Sequence, residues 1–204
     1  MEYGISSREY LRRARDCLNL MSPESLLYAA FELRCGIEAR MHEYLDAQDH
    51  IAKSKKKGWR IPKLGNNLEK TFKSGDRMAE ITLLISDTGE TVIRLYYTPV
   101  TSSLRKMGQK LGDFLHAMTK YGRLNDQWWQ DTRLFLEKVY QELEKANKGT
   151  LLGPPLIHPA TEQIILQTEV IDGQDPNKLL KQFGRKGMRG IMKVNYLNSF
   201  PGTK

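Results

Sequence analysis

The sequence is poor in cysteine and has no long apolar run. Cys17 and Cys35 are its two cysteines, and neither has a partner at the spacing of a metal site or a redox motif. Such cysteines are typical of small buried side chains in a reducing compartment, so we expect a cytoplasmic protein. No apolar run reaches the roughly 18 residues of a membrane-spanning helix, and the polar start Met1–Ser7 does not resemble a secretory signal. We therefore expect no membrane partner.

Motifs of nucleophilic and phosphate chemistry are also missing. The sequence has no Gly-x-Ser-x-Gly turn, no glycine-rich loop ahead of a Lys-Ser/Thr pair, and no cysteine with an adjacent base. Arg34, Glu38 and His42 lie at steps of four on one predicted helix. A glutamate and a histidine without a third ligand are poor evidence for a metal, so we expect a surface ion pair there. The sequence predicts no metal site and no cofactor.

Acidic residues are scarce in two segments, where positive charge is concentrated. The chain carries a net charge of +8. Lys53–Lys73 contains eight lysines and arginines and one acid, Glu69, whereas Lys178–Lys193 contains six lysines and arginines and no acid. Local positive charge favours a polyanion such as nucleic acid, or an acidic protein partner. Two solvated loops without a ligand are an equally good explanation of the same charge.

Both segments contain candidates for nucleic-acid contacts. In the first, lysines surround Trp59, which combines phosphate contacts with base stacking on a single strand, although Trp59 is equally suited to anchoring its loop to the core. In the second, glycines flank the cations and allow the backbone to approach a ligand closely. The predicted nucleic-acid-binding residues are Lys55, Lys56, Lys57, Trp59, Arg60, Lys63, Arg185, Lys186 and Arg189. No nucleic-acid fold signature accompanies them, so the prediction rests on charge.

Apolar residues recur every three to four positions in four stretches, which predicts a bundle of amphipathic helices. The predicted helices run from Ser6 or Ser7 to about Met21, from Pro23 to about Gln48, from Ser102 or Ser103 to about Tyr121, and from Asp126 to Lys148. Between the second and third, the lysines and glycines of residues 49–66, together with Pro62, predict a mobile connection. A short helix at Leu68–Phe72 is expected after it.

Two stretches alternate with a period of two instead. Ile81–Ile85 and Ile93–Tyr97 flank the turn residues Asp87–Glu90, which predicts a β-hairpin at about 78–98. Beyond Gly153–Pro155 the pattern is mixed, with strands expected at 163–171 and 190–197 and a helix at 176–183. We expect an α+β, mainly helical fold: a four-helix-bundle-like domain over 1–150 with the hairpin inserted, and a small C-terminal αβ extension over 151–204. The C-terminal strands are expected to join the hairpin in one sheet.

Parts of the sequence resemble HEPN-type helical bundles, which recur in bacterial toxin and defence proteins. The resemblance covers about residues 7–146 and is carried by Tyr10-Leu11-Arg12-Arg13-Ala14, by Tyr28-Ala29-Ala30-Phe31-Glu32-Leu33-Arg34 and by Lys110-Leu111-Gly112-Asp113-Phe114-Leu115-His116. It implies a dimer of helical bundles. Active members of the family are metal-independent ribonucleases that use an arginine, a polar residue and a histidine on a late helix.

The resemblance assigns the histidine of that motif to His116, but Lys110 stands at best in the place of the arginine. Lysine lacks the planar fork with which arginine grips a phosphate, so the implied site is degenerate. If it were active, His116 would exchange a proton and Lys110 would offset phosphate charge; packing of His116 within the bundle is the simpler explanation. The leading hypothesis is a nucleic-acid-binding, HEPN-like protein of a bacterial stress or defence system. The alternatives are a ribonuclease toxin centred on His116 and an interaction subunit that binds an acidic protein.

Overall fold

The computed structural model describes residues 3–20, 22–48, 51–115, 126–151, 156–157, 164–165 and 190–198. Its helices and strands are α1 (Ser7–Leu20), α2 (Pro23–Asp46), α3 (Lys53–Lys56), α4 (Ile61–Phe72), β1 (Met78–Ile85), β2 (Thr91–Tyr97), α5 (Ser102–Leu111), α6 (Asp126–Lys148), β3 (Leu156–Ile157), β4 (Ile164–Ile165) and β5 (Gly190–Leu197). Gly112–Phe114 continues α5 as one turn of 3₁₀-helix. The fold is α+β and mainly helical, as predicted. Within the described residues, no helix combines the length and the apolar character needed to cross a membrane.

The long helices begin at side chains that satisfy the free N–H groups of a first turn. The Ser6 hydroxyl accepts a hydrogen bond from the Glu9 backbone N–H (3.3 Å), and the Ser22 hydroxyl accepts one from Ser25 (3.2 Å) at the start of α2. Thr101 does the same for α5 through the N–H of Leu104 (3.1 Å). The predicted starts of α1, α2 and α5 are therefore confirmed, with Thr101 rather than a serine as the cap of α5.

Helix α2 lies at the centre of the bundle and packs against α1, α4, α5 and α6. One side of α2 is completely buried, including Leu33, Ile37 and Tyr44, whereas Tyr28 and Phe31 are exposed. Helix α6 contributes Leu136, Val139 and Leu143 to the same core, at the spacing that keeps side chains on one helix face.

The expectation that residues 49–66 form a connection without regular structure is wrong, because α3 lies within it and α4 begins at Ile61. Pro62 stands in the first turn of α4, where the missing N–H of a proline breaks no helical hydrogen bond. The sequence has a glycine at position 65, within α4, because the side chain of Arg105 from α5 packs against this position. A Cβ at Gly65 would lie 2.6 Å from Arg105 Cδ. Arg105 Nη1 also donates to the Gly65 carbonyl (2.9 Å). Packing between helices therefore outweighs the low helix propensity of glycine.

The strands β1, β2 and β5 form an antiparallel sheet in the order β2-β1-β5. The predicted hairpin is confirmed, and Ile81 on β1 lies opposite Leu95 on β2 and Val194 on β5. The strand predicted at 190–197 thus joins the hairpin, as expected. The described part of the strand predicted at 163–171 is β4, which pairs with β3 in a separate sheet, so the expectation of one sheet is wrong for this strand. The predicted helix at 176–183 and most of the predicted strand at 163–171 lie outside the described residues.

Three aromatic rings join the sheet to the bundle. Tyr44 of α2 and Tyr97 of β2 have ring centroids 5.2 Å apart, and Phe72 of α4 lies 6.1 Å from the first and 5.4 Å from the second. All are nearly or fully buried. Tilted and offset contacts of this kind stabilise a core beyond the area that they bury.

A buried arginine completes the same junction. Arg40 of α2 is 3% exposed and donates to the carbonyls of Ala146 (3.0 Å) and Gly149 (2.8 Å), at the end of α6. It also donates to the Tyr44 hydroxyl (2.9 Å) and forms an ion pair with Glu43 (3.1 Å). A cation stabilises the C-terminal end of a helix because the last carbonyls there lack helical partners.

A glycine is required at position 149, just after α6, because the chain that follows β2 passes close to it. A Cβ at this position would lie 2.7 Å from the Thr98 backbone nitrogen and 2.8 Å from the Tyr96 carbonyl oxygen. The Gly149 N–H donates to the Thr98 hydroxyl (3.0 Å), which in turn donates to the Ala146 carbonyl (2.8 Å). The end of α6 is therefore bound to both α2 and the sheet.

We expect Arg40→Met to lower the free energy of unfolding by about 2 to 4 kcal/mol, because it removes the donor to the buried Gly149 carbonyl, one of the two donors to the Ala146 carbonyl and the cation beside Glu43. Urea unfolding followed by circular dichroism measures the loss. Arg12→Met is the matched control, since Arg12 pairs with Glu9 on the surface (3.0 Å) and such pairs contribute about 0.5 kcal/mol or less. Equal losses in the two variants would contradict the role given to Arg40.

Candidate nucleic-acid interface

The basic segment, which we define as Lys53–Lys63, is held to the core at two points. Ile51 precedes it with 6% exposure, and Ile61 near its end is fully buried. Between them, all residues from Ala52 to Arg60 are exposed except the half-buried Lys56. Burial of the two isoleucines therefore presents the intervening cations to solvent.

Hydrogen bonds to neighbouring helices hold this exposed chain. The His42 ring on α2 contacts the Gly58 carbonyl through Nε2 (2.8 Å), and because a carbonyl only accepts, Nε2 donates. Lys56 Nζ donates to the Asp46 carbonyl (3.3 Å), and Asn67 of α4 donates to the Lys55 carbonyl (2.7 Å). The segment is thus tied to both α2 and α4.

Most cations of the basic segment are exposed and form no ion pair with the described carboxylates. Lys55, Lys57, Arg60 and Lys63 are exposed. Within the described part of the chain, no lysine or arginine of the segment forms an ion pair with a carboxylate. Their charges are therefore not neutralised by described neighbours, which raises the local positive potential.

Trp59 is 64% exposed, so the alternative that it anchors the loop in the core is wrong. The Arg60 guanidinium lies 5.9 Å from the centroid of its ring. Trp59 lines an open surface depression of about 310 Å³, which we call the Trp59 pocket. The lining residues are Arg34, Trp59, Arg60, Ile61, Pro62, Gln109, Gly112 and Asp113.

The Trp59 pocket brings together residues that the sequence did not connect. Arg34 comes from α2, where its Nε pairs with Glu38 (3.1 Å) and its Nη1 donates to the Gly108 carbonyl (3.0 Å). Gln109 and Asp113 come from the end of α5 and the turn after it. Their spacing of four was the only sequence signal that they share one side of a helix.

The expected ion pair on α2 is present between Arg34 and Glu38, but it is largely buried and not on the surface, with side-chain exposures of 16% and 19%. Burial raises the pKa of Glu38, while the charges of Arg34 and His42 act in the opposite direction. His42 bonds to the basic segment instead. Across the described ranges, no three histidine, cysteine or acidic side chains are grouped so that they could hold a metal ion.

Of the residues that the resemblance assigns to catalysis, the structure describes Lys110 alone. Lys110 is exposed on α5, and its Nζ lies 4.8 Å from the centroid of the Phe135 ring on α6, a favourable contact between a cation and an aromatic face. His116 lies outside the described residues, and so do Arg185, Lys186 and Arg189. Catalysis and the second basic segment therefore stay predictions.

The cysteines do not supply a nucleophile. Burial raises the pKa of the Cys35 thiol from its ordinary 9.0 to about 11, and burial also raises the pKa of Cys17. The thiolate is the nucleophilic form of cysteine, so a raised pKa suppresses reactivity at neutral pH.

We expect the single-thiol variant Cys17→Ser to react with iodoacetamide at pH 8 about a hundredfold more slowly when folded than in urea, because a two-unit rise in pKa lowers the thiolate fraction by about that factor. The rate is measured by mass spectrometry of the alkylated protein. Similar rates in the folded and unfolded chain would show that Cys35 is an accessible thiol.

Comparisons with known proteins do not identify the chain. No protein-family model matches it, and neither the curated proteins nor the solved structures contain a significant match. The functional inference therefore rests on the chemistry of the basic segment and the Trp59 pocket.

Proposed function

We propose that the chain binds single-stranded nucleic acid through the basic segment. The observation that carries this proposal is that an exposed tryptophan stands among exposed, unpaired cations and lines the Trp59 pocket. Cations supply affinity for the phosphate backbone, and an aromatic face supplies stacking for bases. A single strand offers a target for both contacts, because its phosphates are charged and its bases are free to stack on a ring.

Single strands are favoured over duplexes for two reasons. A base can stack on Trp59 only when it is free of its partner strand. The positive charge also lies on a short loop and one helical turn, α3, rather than on a long helix of the kind that enters a major groove. Backbone contacts with stacking therefore describe this surface better than groove recognition.

The other two hypotheses account for fewer of the features of this surface. An acidic protein would use the lysines but has no need of an exposed ring beside a pocket. A ribonuclease centred on His116 depends on residues outside the described ranges. The HEPN-like resemblance, the dimer that it implies and a place in bacterial defence stay predictions, because no comparison tests them.

Replacing Lys55, Lys56, Lys57 and Arg60 with alanine should flatten the plot of log affinity against log salt by about three units. Each phosphate contact releases about 0.7 of a counterion from a single strand, so loss of four contacts has about this effect. Fluorescence anisotropy of a labelled oligonucleotide across a salt series measures the slope.

The matched control removes four positive charges elsewhere, at Arg12, Lys138, Lys145 and Lys148, all exposed on α1 and α6. It should change the slope little, because these charges make no contact with the strand. If the two quadruple variants behave alike, total charge rather than the basic segment determines affinity. If the first variant folds and keeps both affinity and slope, the segment does not bind nucleic acid.

Trp59→Ala should weaken binding to a single strand by about 1 to 3 kcal/mol while the salt slope stays unchanged, since stacking releases no phosphate counterion. Trp59→Phe should recover part of the affinity. Leu134→Ala is the matched control, because Leu134 is an apolar side chain of similar exposure, at 70%, on α6. A slope that falls in Trp59→Ala would indicate that the ring positions the lysines instead of stacking on a base.

A further inference from the structure

The Trp59 pocket has the dimensions of a site for one small molecule. Its volume of about 310 Å³ lies at the lower end of the range of about 300 to 1,000 Å³ for ligand pockets. The exposed Trp59 and Pro62 give it aromatic and apolar surface, and Gln109 and Asp113 add polar groups. A planar, partly polar ring system such as a nucleobase fits this combination.

An arginine with spare donors lines the pocket. Arg34 is 16% exposed at its side chain and is held by Glu38 and the Gly108 carbonyl through Nε and Nη1. Its Nη2 has no hydrogen-bond partner among the described residues. Because two partners already fix the guanidinium, its remaining N–H groups can bind a ligand with little further loss of side-chain freedom.

The pocket is also lined by a carboxylate that has no partner among the described residues. Asp113 is exposed and, in the part of the chain that the structure describes, forms neither an ion pair with Arg34 nor one with Arg60. An ionised carboxylate only accepts hydrogen bonds, and it has two oxygens with which to do so. The ligand that suits Asp113 must therefore present donors, preferably two side by side.

Guanine is the base that satisfies both groups. Its O6 and N7 are neighbouring acceptors, the pair that arginine binds most often in nucleic acids. Its N1–H and its exocyclic amino group are neighbouring donors, which match the two oxygens of a carboxylate. Adenine has N7 but an amino group in place of O6, and uracil has one ring N–H between two carbonyls, so neither matches both Arg34 and Asp113.

We propose that the Trp59 pocket binds one guanine base, stacked on Trp59, with Asp113 accepting from its N1–H and amino group and Arg34 donating to O6 and N7. This proposal rests on the proposed function, since the guanine belongs to the bound single strand. Arg60 and the lysines of the basic segment then contact the flanking phosphates.

The test compares short oligouridylates that carry one central guanine, adenine or hypoxanthine, using fluorescence anisotropy with the whole protein. Hypoxanthine lacks the exocyclic amino group of guanine and keeps O6 and N7. We expect the guanine strand to bind about tenfold more tightly than the adenine strand, with hypoxanthine between them. In Asp113→Asn, whose amide also donates, guanine and hypoxanthine should bind equally.

Glu69→Gln is the matched control for Asp113→Asn. Glu69 is an exposed carboxylate on α4 and does not line the pocket. Either substitution removes one negative charge, but only Asp113→Asn changes the pocket. The preference for guanine over hypoxanthine should be lost in Asp113→Asn, whereas Glu69→Gln should change the affinity for all three strands by the same factor and keep that preference.

The outcomes separate the pocket from the proposed function. If all three strands bind equally well, nucleic-acid binding stands and the guanine pocket is wrong. If no strand binds, both proposals fail. If free guanosine monophosphate binds and shifts Trp59 fluorescence while the strands show no base preference, the pocket holds a free nucleotide and its assignment to a strand is overturned.

Discussion

Burial of the Arg40 charge is the constraint on which the arrangement of the bundle depends. A guanidinium is tolerated inside a protein only when its donors are satisfied, and here they bind the last carbonyls of α6, the Tyr44 hydroxyl and Glu43. The Tyr44 hydroxyl donates in turn to the Thr98 carbonyl just beyond β2. One side chain thus determines how α2, α6 and the sheet meet. Apolar packing alone would permit these elements to slide against one another, whereas directed hydrogen bonds do not.

The same helix that holds Arg40 also supports the candidate site. Arg34 lines the Trp59 pocket and His42 holds the basic segment, and both lie on α2. Because the other side of α2 is buried in the core, these two residues stand on a rigid support. The lysines lie on the segment that His42 holds, so the same helix supports both the pocket and the cations. This arrangement suits a ligand whose base and phosphates are bound side by side.

The sequence predicted the elements whose signals are local. Capping residues and apolar spacing indicated α1, α2, α5 and α6, and alternation with a turn indicated the hairpin. The prediction for residues 49–66 was wrong because Pro62 and Gly65 usually interrupt helices. Here Pro62 stands in a first turn and Gly65 accommodates Arg105, and the second of these facts depends on a residue far along the chain.

The candidate site was predictable only in part for the same reason. The lysines around Trp59 form one continuous stretch, so their charge was visible in the sequence. Arg34 and Asp113 belong to different helices and line one pocket only because α2, α4 and α5 pack together. No spacing rule links them, and Arg34 had a sufficient local explanation in its pair with Glu38.

The sheet has a consequence for the order in which the molecule assembles. Strand β1 is central, yet one of its two neighbours, β5, lies far later in the chain, beyond α5 and α6. While the chain is being synthesised, the hairpin emerges first and presents an open hydrogen-bonding edge on β1 until β5 arrives. Closing that edge requires a long loop, which is slow compared with forming a hairpin. The interval leaves β1 open to pairing with another nascent chain.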